Sequence, residues 1–462
     1  MSSPYYHVDP ASVRDAQASR YPRNFVDYPA FLAPIGWADR LSRTLRGRPM
    51  PSLRRRLLAA FDEVDAPSER WGTPEQLALV RRNIELFAAG IDDNPHISAI
   101  GRFLLLMITL GHLRNRAELI AYYEAQRDFI EGRGRCVAPL LVTGFPRTGT
   151  TLLHRLLSED PNARAPYTFE LEKTTPPMVA GADPREDPRI ASSAASMATM
   201  SRLAPGFVEK FSQSHHWAAL EREELMLYVQ FHNGMTIMNG VQAGREYIRC
   251  LLDASCADAL FIYERNFLTM LDAYAPVRGH WVNKAPLYAP YFSKLFDHYP
   301  DARVIVTHRH PAKNVASVCR MLESWMLPFD EPGSFDKLAF GSLVFEVVRP
   351  FLNAPMSYRD AHPERESQIV DCVYVDLFSD PIGTVKRIYA KFGLDYSEEF
   401  DQRMRRWLAE NEQGRYGRHV YCNEEYGLEP ERLQEAFGDY YDRYGFGLEP
   451  AALELEPKLN IE

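Results

Sequence analysis

The stretch Gly144-Phe145-Pro146-Arg147-Thr148-Gly149-Thr150-Thr151 has the residue types needed to hold a phosphate-like anion. Gly149 lets the backbone come close and threonine hydroxyls donate hydrogen bonds. A helix opening at this point turns its N–H groups and partial positive charge toward the ligand. Arg147, Thr148, Gly149, Thr150 and Thr151 are therefore the candidate anion contacts. A nucleoside triphosphatase loop would carry lysine where Thr150 stands, followed by a metal-binding hydroxyl. Here the cation is Arg147, inside the loop, and a later strand-like run ends in His308-Arg309 instead of a metal-holding aspartate. The competing readings are the nucleotide site of a small-molecule kinase and a tight turn with no ligand.

Such a loop needs a strand before it and a helix behind it. Residues 138–143 (APLLVT) form a short apolar run, the pattern of a buried strand, and Leu152, Leu153, Leu156 and Leu157 then share one helical face. Two further runs, ARVIVTH at 302–308 and QIVDCVYVDL at 368–377, each precede a helical pattern, the first opened by Pro311. Strands alternating with helices predict an α/β fold, a P-loop-like parallel sheet flanked by helices. Residues 185–275 are a helical block too long for one crossover and are expected to cap the substrate. Leu53, Leu57, Leu58 and Phe61, then Leu77, Val80, Ile84 and Phe87, give residues 52–131 a helical period behind a Pro-rich arm. The expected division is a helical N-terminal region and arm at 1–135, an α/β domain at 136–450 and an acidic tail at 451–462.

Composition narrows the functional classes. Of the 462 residues 46% are hydrophobic and 25% charged, enough for a large core and incompatible with global disorder. The 53 Lys and Arg against 62 Asp and Glu leave a net charge of −9. That argues against a life on nucleic-acid backbone or anionic membrane and leaves room only for local basic pockets. The most apolar run, Phe103 to Leu110, falls far short of the ~20 residues of a membrane span. The opening MSSPYYHVDP lacks a basic region followed by an apolar stretch, so no secretory signal is expected. Six scattered cysteines show no CxxC pair and no zinc spacing, which predicts free thiols, no metal and a cytoplasmic location.

GFPRTGTTLLHRLL resembles the 5′-phosphosulfate loop of sulfotransferases that use 3′-phosphoadenosine 5′-phosphosulfate (PAPS). It is most similar to the branch with Arg in the loop, which includes tyrosylprotein sulfotransferases and many bacterial sulfotransferase-like proteins. Three more segments carry the resemblance: Arg309 and Ser317 in HRHPAKNVASVCR, Lys284 in WVNKAPLY, and Tyr374-Val-Asp-Leu. Their order and rough spacing agree with the family over residues 138–445. The resemblance implies a second anion site, at Arg309 and Ser317, for the 3′-phosphate, and no metal. Arg147 and Lys284 are the implied stabilisers of charge on the leaving phosphate, where one preorganised donor is worth roughly 3–4 kcal/mol. It further implies that Tyr374 meets the adenine side and that Arg415 and Arg418, in a Gly-bounded loop, close over the 3′-phosphate end.

Transfer to a hydroxyl requires a group to take its proton. The Arg-loop branch implies a glutamate some twenty residues past the loop, where Glu170 stands between Phe169 and Leu171, in surroundings that would raise its pKa. Glu172 is the neighbouring alternative. The cytosolic branch implies a histidine, for which His215 or His216 is available. Phe207, Phe211, Trp217, Tyr228, Phe231 and Met235 in the cap fit an apolar pocket for a small-molecule or lipid-like hydroxyl acceptor, and equally fit plain core. A non-catalytic scaffold on the same fold is the alternative to an enzyme.

Overall fold

Five short runs form one sheet in the computed structural model, which describes residues 28–47, 49–63, 68–136, 138–208, 218–331, 333–411 and 423–446. They are β1 (Leu140–Gly144), β2 (Ala163–Arg164), β3 (His280–Lys284), β4 (Arg303–His308) and β5 (Ile369–Val373), in the order β2-β3-β1-β4-β5. All pairings are parallel. Every residue of β1 and β3 is buried, as expected where helices cover both faces of a parallel sheet. Val142 lies opposite Lys284, Gly144 opposite Thr307, and His308 opposite Val373. The chain leaves β1 for one edge, returns beside it as β3, and crosses to its other side as β4. The carboxyl end of β1 is therefore the switch point at which an open α/β sheet forms its cleft. Gly144, Lys284, Arg309 and Tyr374 all emerge there.

The helices that position these ends are α1 (Pro74–Asp93), α2 (Ala99–Ala125), α3 (Thr150–Leu157), α4 (Leu225–His232), α5 (Ala257–Tyr274), α6 (Pro311–Met326), α7 (Lys337–Ala361), α8 (Tyr374–Ser379) and α9 (Pro430–Tyr444). Thr73 starts α1 with a capping box closed by Gln76, and Ser98 caps α2. Alternate residues of the strands feed two cores. Leu141, Val304 and Val306 join Ile84, Leu119 and Phe267 on one side. Leu140, Val142 and Ile305 join Leu153, Val385 and Phe400 on the other. The N-terminal helices thus wall the same core as the sheet.

Three strands differ from the sequence expectation. The run at 368–377 stops being a strand at Val373, and Tyr374 opens α8 instead of ending β5. β2 and β3 were not anticipated: β2 has two residues, and β3 ends in the polar pair Asn283-Lys284, which masks its strand character. Phe207, Tyr228 and Met235 are core residues, and Phe231 packs against that core. Phe211 and Trp217 lie outside the described residues.

α5 carries a buried acid that ties it to the segment after β3. Glu264 accepts hydrogen bonds from the Tyr288 hydroxyl at 3.0 Å and the Tyr299 hydroxyl at 2.8 Å. Complete burial pushes its carboxyl up to about 8, outweighing the hydrogen bonds that favour the anion. The folded protein therefore keeps a proton that the unfolded chain releases above its ordinary value of 4.5. Stability is full below that value and declines as pH rises to 8, by up to about 1.4 kcal/mol per pH unit. Denaturant titrations at pH 5 and pH 8 should show this decline in the parent chain and a flatter profile in Glu264→Gln.

Candidate functional site

The loop between β1 and α3 is built by two unusual backbone positions and a hydroxyl clasp. Gly144 has φ 133, and a Cβ there would lie 2.4 Å from the Thr307 carbonyl oxygen, so only glycine lets β1 and β4 run this close. Arg147 has φ 70, in the left-handed region that costs a residue with a Cβ roughly 1–2 kcal/mol. Thr148 turns inward: its hydroxyl donates to the Phe145 carbonyl at 2.7 Å and meets that of Thr307 at 2.5 Å. Gly149, at φ 90, caps α3 and leaves the first N–H groups of the helix facing the cleft together with Thr150 and Thr151.

Lys284, at the end of β3, is completely buried beside this helix start. Its ammonium reaches three acceptors, Thr151 Oγ1 at 3.3 Å, Glu223 Oε1 at 3.1 Å and Glu224 Oε1 at 3.1 Å. An ammonium has three donors, so the set is complete. Burial alone would lower the lysine's pKa, but the two carboxylates outweigh it and hold the pKa above the ordinary value. Glu224 also pairs its backbone with Lys284 in an isolated parallel bridge, which fixes both ends of the contact.

The opposite flank is organised by Arg309, one residue past β4. Its Nη1 donates to the Arg147 carbonyl at 3.1 Å, and its guanidinium sits 4.1 Å from the centre of the Tyr374 ring. Arg147 Nε in turn donates to Ser317 Oγ, on α6, at 3.2 Å. Arg309 Nε is buried and has no hydrogen-bond partner among the described residues. A desolvated cationic donor without an acceptor is costly unless an anion meets it. The preceding residue anchors this corner. His308 contacts Asp371 through Nε2 at 2.8 Å and the Tyr440 hydroxyl through Nδ1 at 2.9 Å, and its ring stacks on Tyr444. Burial would raise the Asp371 carboxyl, yet the His308 and Arg359 hydrogen bonds hold it down to about 2. Burial also holds His308 below the ordinary imidazole value, against the pull of Asp371.

These elements enclose a cavity of about 230 Å³. Arg147, Thr150, Thr151, Arg309, Ser317 and Tyr374 make one wall polar, and Phe145, Leu227, Ile237, Met238, Met321 and Phe351 make another apolar. Glu224 stands on the cavity wall near Leu227 and Thr151. Sequence reasoning missed it, because nothing in a Glu-Arg-Glu-Glu run distinguishes the residue that a strand bridge will carry to Lys284.

The other predicted residues fall elsewhere. Neither Glu170 nor Glu172 lines the cavity. Glu170 is completely buried, accepting from Arg164 Nη2 at 2.9 Å and from the Tyr167 N–H at 3.1 Å as a helix cap. Arg164 also donates to the Leu271 carbonyl, so this pair ties the short helix Thr168–Glu172 to α5. Lys284 and Thr148 lie behind the cavity wall. His215, His216, Arg415 and Arg418 lie outside the described residues. Among the described residues no three His, Cys, Asp or Glu side chains gather as a metal site.

Comparison with known proteins gives a coherent result. The model of a family described as the sulfotransferase family matches residues 139–398. The crystal structure of the sulfotransferase STF9 from Mycobacterium avium superposes with a TM-score of 0.72 at 25% identity, covering 86% of this chain and 97% of that one. The sulfotransferase STF1 from Mycobacterium tuberculosis shares the fold, with a TM-score of 0.67 at 24% identity over 83% of this chain and 98% of that one. No curated protein sequence matches the chain.

Replacing Lys284 should expose how its cluster is balanced. Lys284→Met removes the buried countercharge of Glu223 and Glu224 and should cost about 3–5 kcal/mol in denaturant unfolding. The triple variant Lys284→Met/Glu223→Gln/Glu224→Gln should recover much of that loss.

Proposed function

On the footing that this chain belongs to the sulfotransferase family, we propose that it moves a sulfonate group from PAPS to the hydroxyl of an apolar small-molecule or lipid-like acceptor. The observation that carries the reading is one cavity lined both by the start of α3 with Arg147 and by Arg309 with Ser317. Two neighbouring anion seats along one cavity match a donor with phosphate on two positions of its ribose. In this reading Gly149, Thr150, Thr151 and Arg147 hold the 5′-phosphosulfate end, and Arg309 and Ser317 hold the 3′-phosphate. Tyr374 packs on the nucleoside side, and the family resemblance adds Arg415 and Arg418. PAPS supplies the activated sulfuryl group; the protein supplies position, charge and a proton acceptor.

An acceptor lying along Leu227, Met238 and Phe351 brings its hydroxyl to the polar wall, where Glu224 is the carboxylate at hand. Glu224 takes the base role in this reading, in place of Glu170, whose oxygens are occupied by Arg164 and a helix N–H. In this reading Lys284 pairs with Glu224 from behind the cavity wall and adds positive potential on the side of the leaving phosphate, while Arg147 lines the cavity itself. The alcohol proton passes to Glu224 as the hydroxyl oxygen bonds to sulfur and the bond from sulfur to the phosphate oxygen breaks.

Calorimetric titration with adenosine 3′,5′-bisphosphate should give metal-independent binding that weakens about 10–100-fold in Arg309→Ala, the loss of one charged hydrogen-bonding pair. Binding of magnesium-ATP in its place would overturn the reading in favour of a kinase. Glu224→Gln should bind the bisphosphate within a few-fold of the parent yet lose roughly 10²–10⁴ in transfer rate. If Glu170→Gln folds normally and abolishes transfer while Glu224→Gln does not, the base is Glu170.

A further inference from the structure

Far from this cavity in sequence, the chain carries a surface whose character opposes that of the whole molecule. The helix Ala33–Arg46 buries Asp39 and Ser42 on its inner face, where Asp39 pairs with Arg102 of α2 at 2.7 Å. On its outer face Trp37, Leu41 and Leu45 follow at a spacing of four, one above the other. Trp37 and Leu45 are 66% and 70% exposed. Phe31 before the helix and Met50 after it are exposed as well, so five of the nine exposed large apolar side chains among the described residues fall within twenty positions. Apolar residues scattered singly over a surface are ordinary; this concentration is not.

The charge of the same segment is equally uneven. Residues 31–60 contain seven arginines and one acid, Asp39, in a chain whose net charge is −9. Arg40 borders the apolar stripe, and Arg54, Arg55 and Arg56 stand exposed on the next helix, Leu53–Asp62. Among the described residues Arg43 pairs with Asp39 and Arg54 with Glu85, whereas Arg40, Arg55 and Arg56 form no ion pair. The acidic remainder of the molecule does not cancel this cluster at contact distance, because fields are screened over about 8 Å at physiological salt. An aromatic and aliphatic stripe bordered by arginine is the pattern of a helix that lies in a membrane interface, its apolar face among acyl chains and its cations against anionic headgroups. No described helix is long and apolar enough to cross a membrane, so the contact is peripheral.

We propose that the segment Phe31–Arg56 docks this protein onto an anionic lipid bilayer, with Trp37, Leu41 and Leu45 inserted and Arg40, Arg55 and Arg56 at the headgroups. The proposal is independent of the sulfotransferase reading.

The full chain should co-sediment with phosphatidylglycerol-containing vesicles at about 0.1 M salt and remain in the supernatant with pure phosphatidylcholine. Higher salt should release it. Leu41→Gln/Leu45→Gln and Arg40→Glu/Arg55→Glu/Arg56→Glu should each reduce the bound fraction at least tenfold, with far-ultraviolet circular dichroism unchanged. A blue shift of tryptophan emission on vesicle binding should largely disappear in Trp37→Phe. Absence of binding to the anionic vesicles, or binding that ignores these substitutions, overturns the proposal. So does a dimer in sedimentation equilibrium that Leu41→Gln/Leu45→Gln dissociates, which would make a second copy the occupant. Binding that appears only after residues 1–27 are deleted also overturns it, in favour of the leading segment as the cover.

Discussion

Arg147, Lys284 and Arg309 are drawn to one sheet edge largely closed to water, where each charge needs compensation on the spot. Lys284 receives it from Glu223, Glu224 and Thr151. Arg309 receives part of it from the Tyr374 ring and the Arg147 carbonyl. The architecture around them follows from that need. A segment of the block between β2 and β3 must bridge to Lys284 to deliver two carboxylates, and α8 must begin at Tyr374 to lay an aromatic face on Arg309. The carboxyl-terminal helix α9 is held to the same corner by Tyr440 and Tyr444 on His308. Distant parts of the chain meet here because isolated charges would not be tolerated.

The parts legible in the sequence are those whose signal is local. An apolar run followed by a glycine turn and a leucine face defines β1, the loop and α3 within a couple of residues, and the run ending at His308 defines β4 in the same way. The sheet brings Gly144, Lys284, Arg309 and Tyr374 to one edge, a convergence that follows from the parallel pairing of β3, β1, β4 and β5 and not from any one motif. What was not legible is pairing. Glu170 has the expected distance from the loop, but its environment is decided by Arg164, a residue on an edge strand of two positions. Glu224 has no motif of its own and gains its place through a single bridge to Lys284. Likewise, Tyr374 has strand composition around it, yet the chain turns helical there because β4 has no further residue to pair with beyond His308.

The cavity has the asymmetry of its surroundings. Its polar wall comes mostly from strand ends and helix starts, whose backbone geometry is fixed by the sheet, with Ser317 added from within α6. Its apolar wall comes from α4 and the turn after it, from α6 and from α7, which belong to the large core shared with the N-terminal helices. Leu227 lines the cavity while its neighbours Tyr228 and Met226 are core, so rotation or shift of α4 exchanges one for the other. The two kinds of lining meet on α6, where Ser317 and Met321 lie one turn apart, and in the loop, where Phe145 precedes Arg147.

Arg147 holds a left-handed backbone that glycine would adopt freely, and it does so at the point where a guanidinium faces the cavity. No standard residue offers both the relaxed backbone and the charge. Drift toward glycine would make the loop more durable and electrically silent, whereas retention of arginine keeps a permanent local weakness in an otherwise well-packed edge. In a lineage moving to hotter surroundings, extra durability must therefore come from elsewhere in the molecule, because at position 147 robustness and reactivity pull in opposite directions.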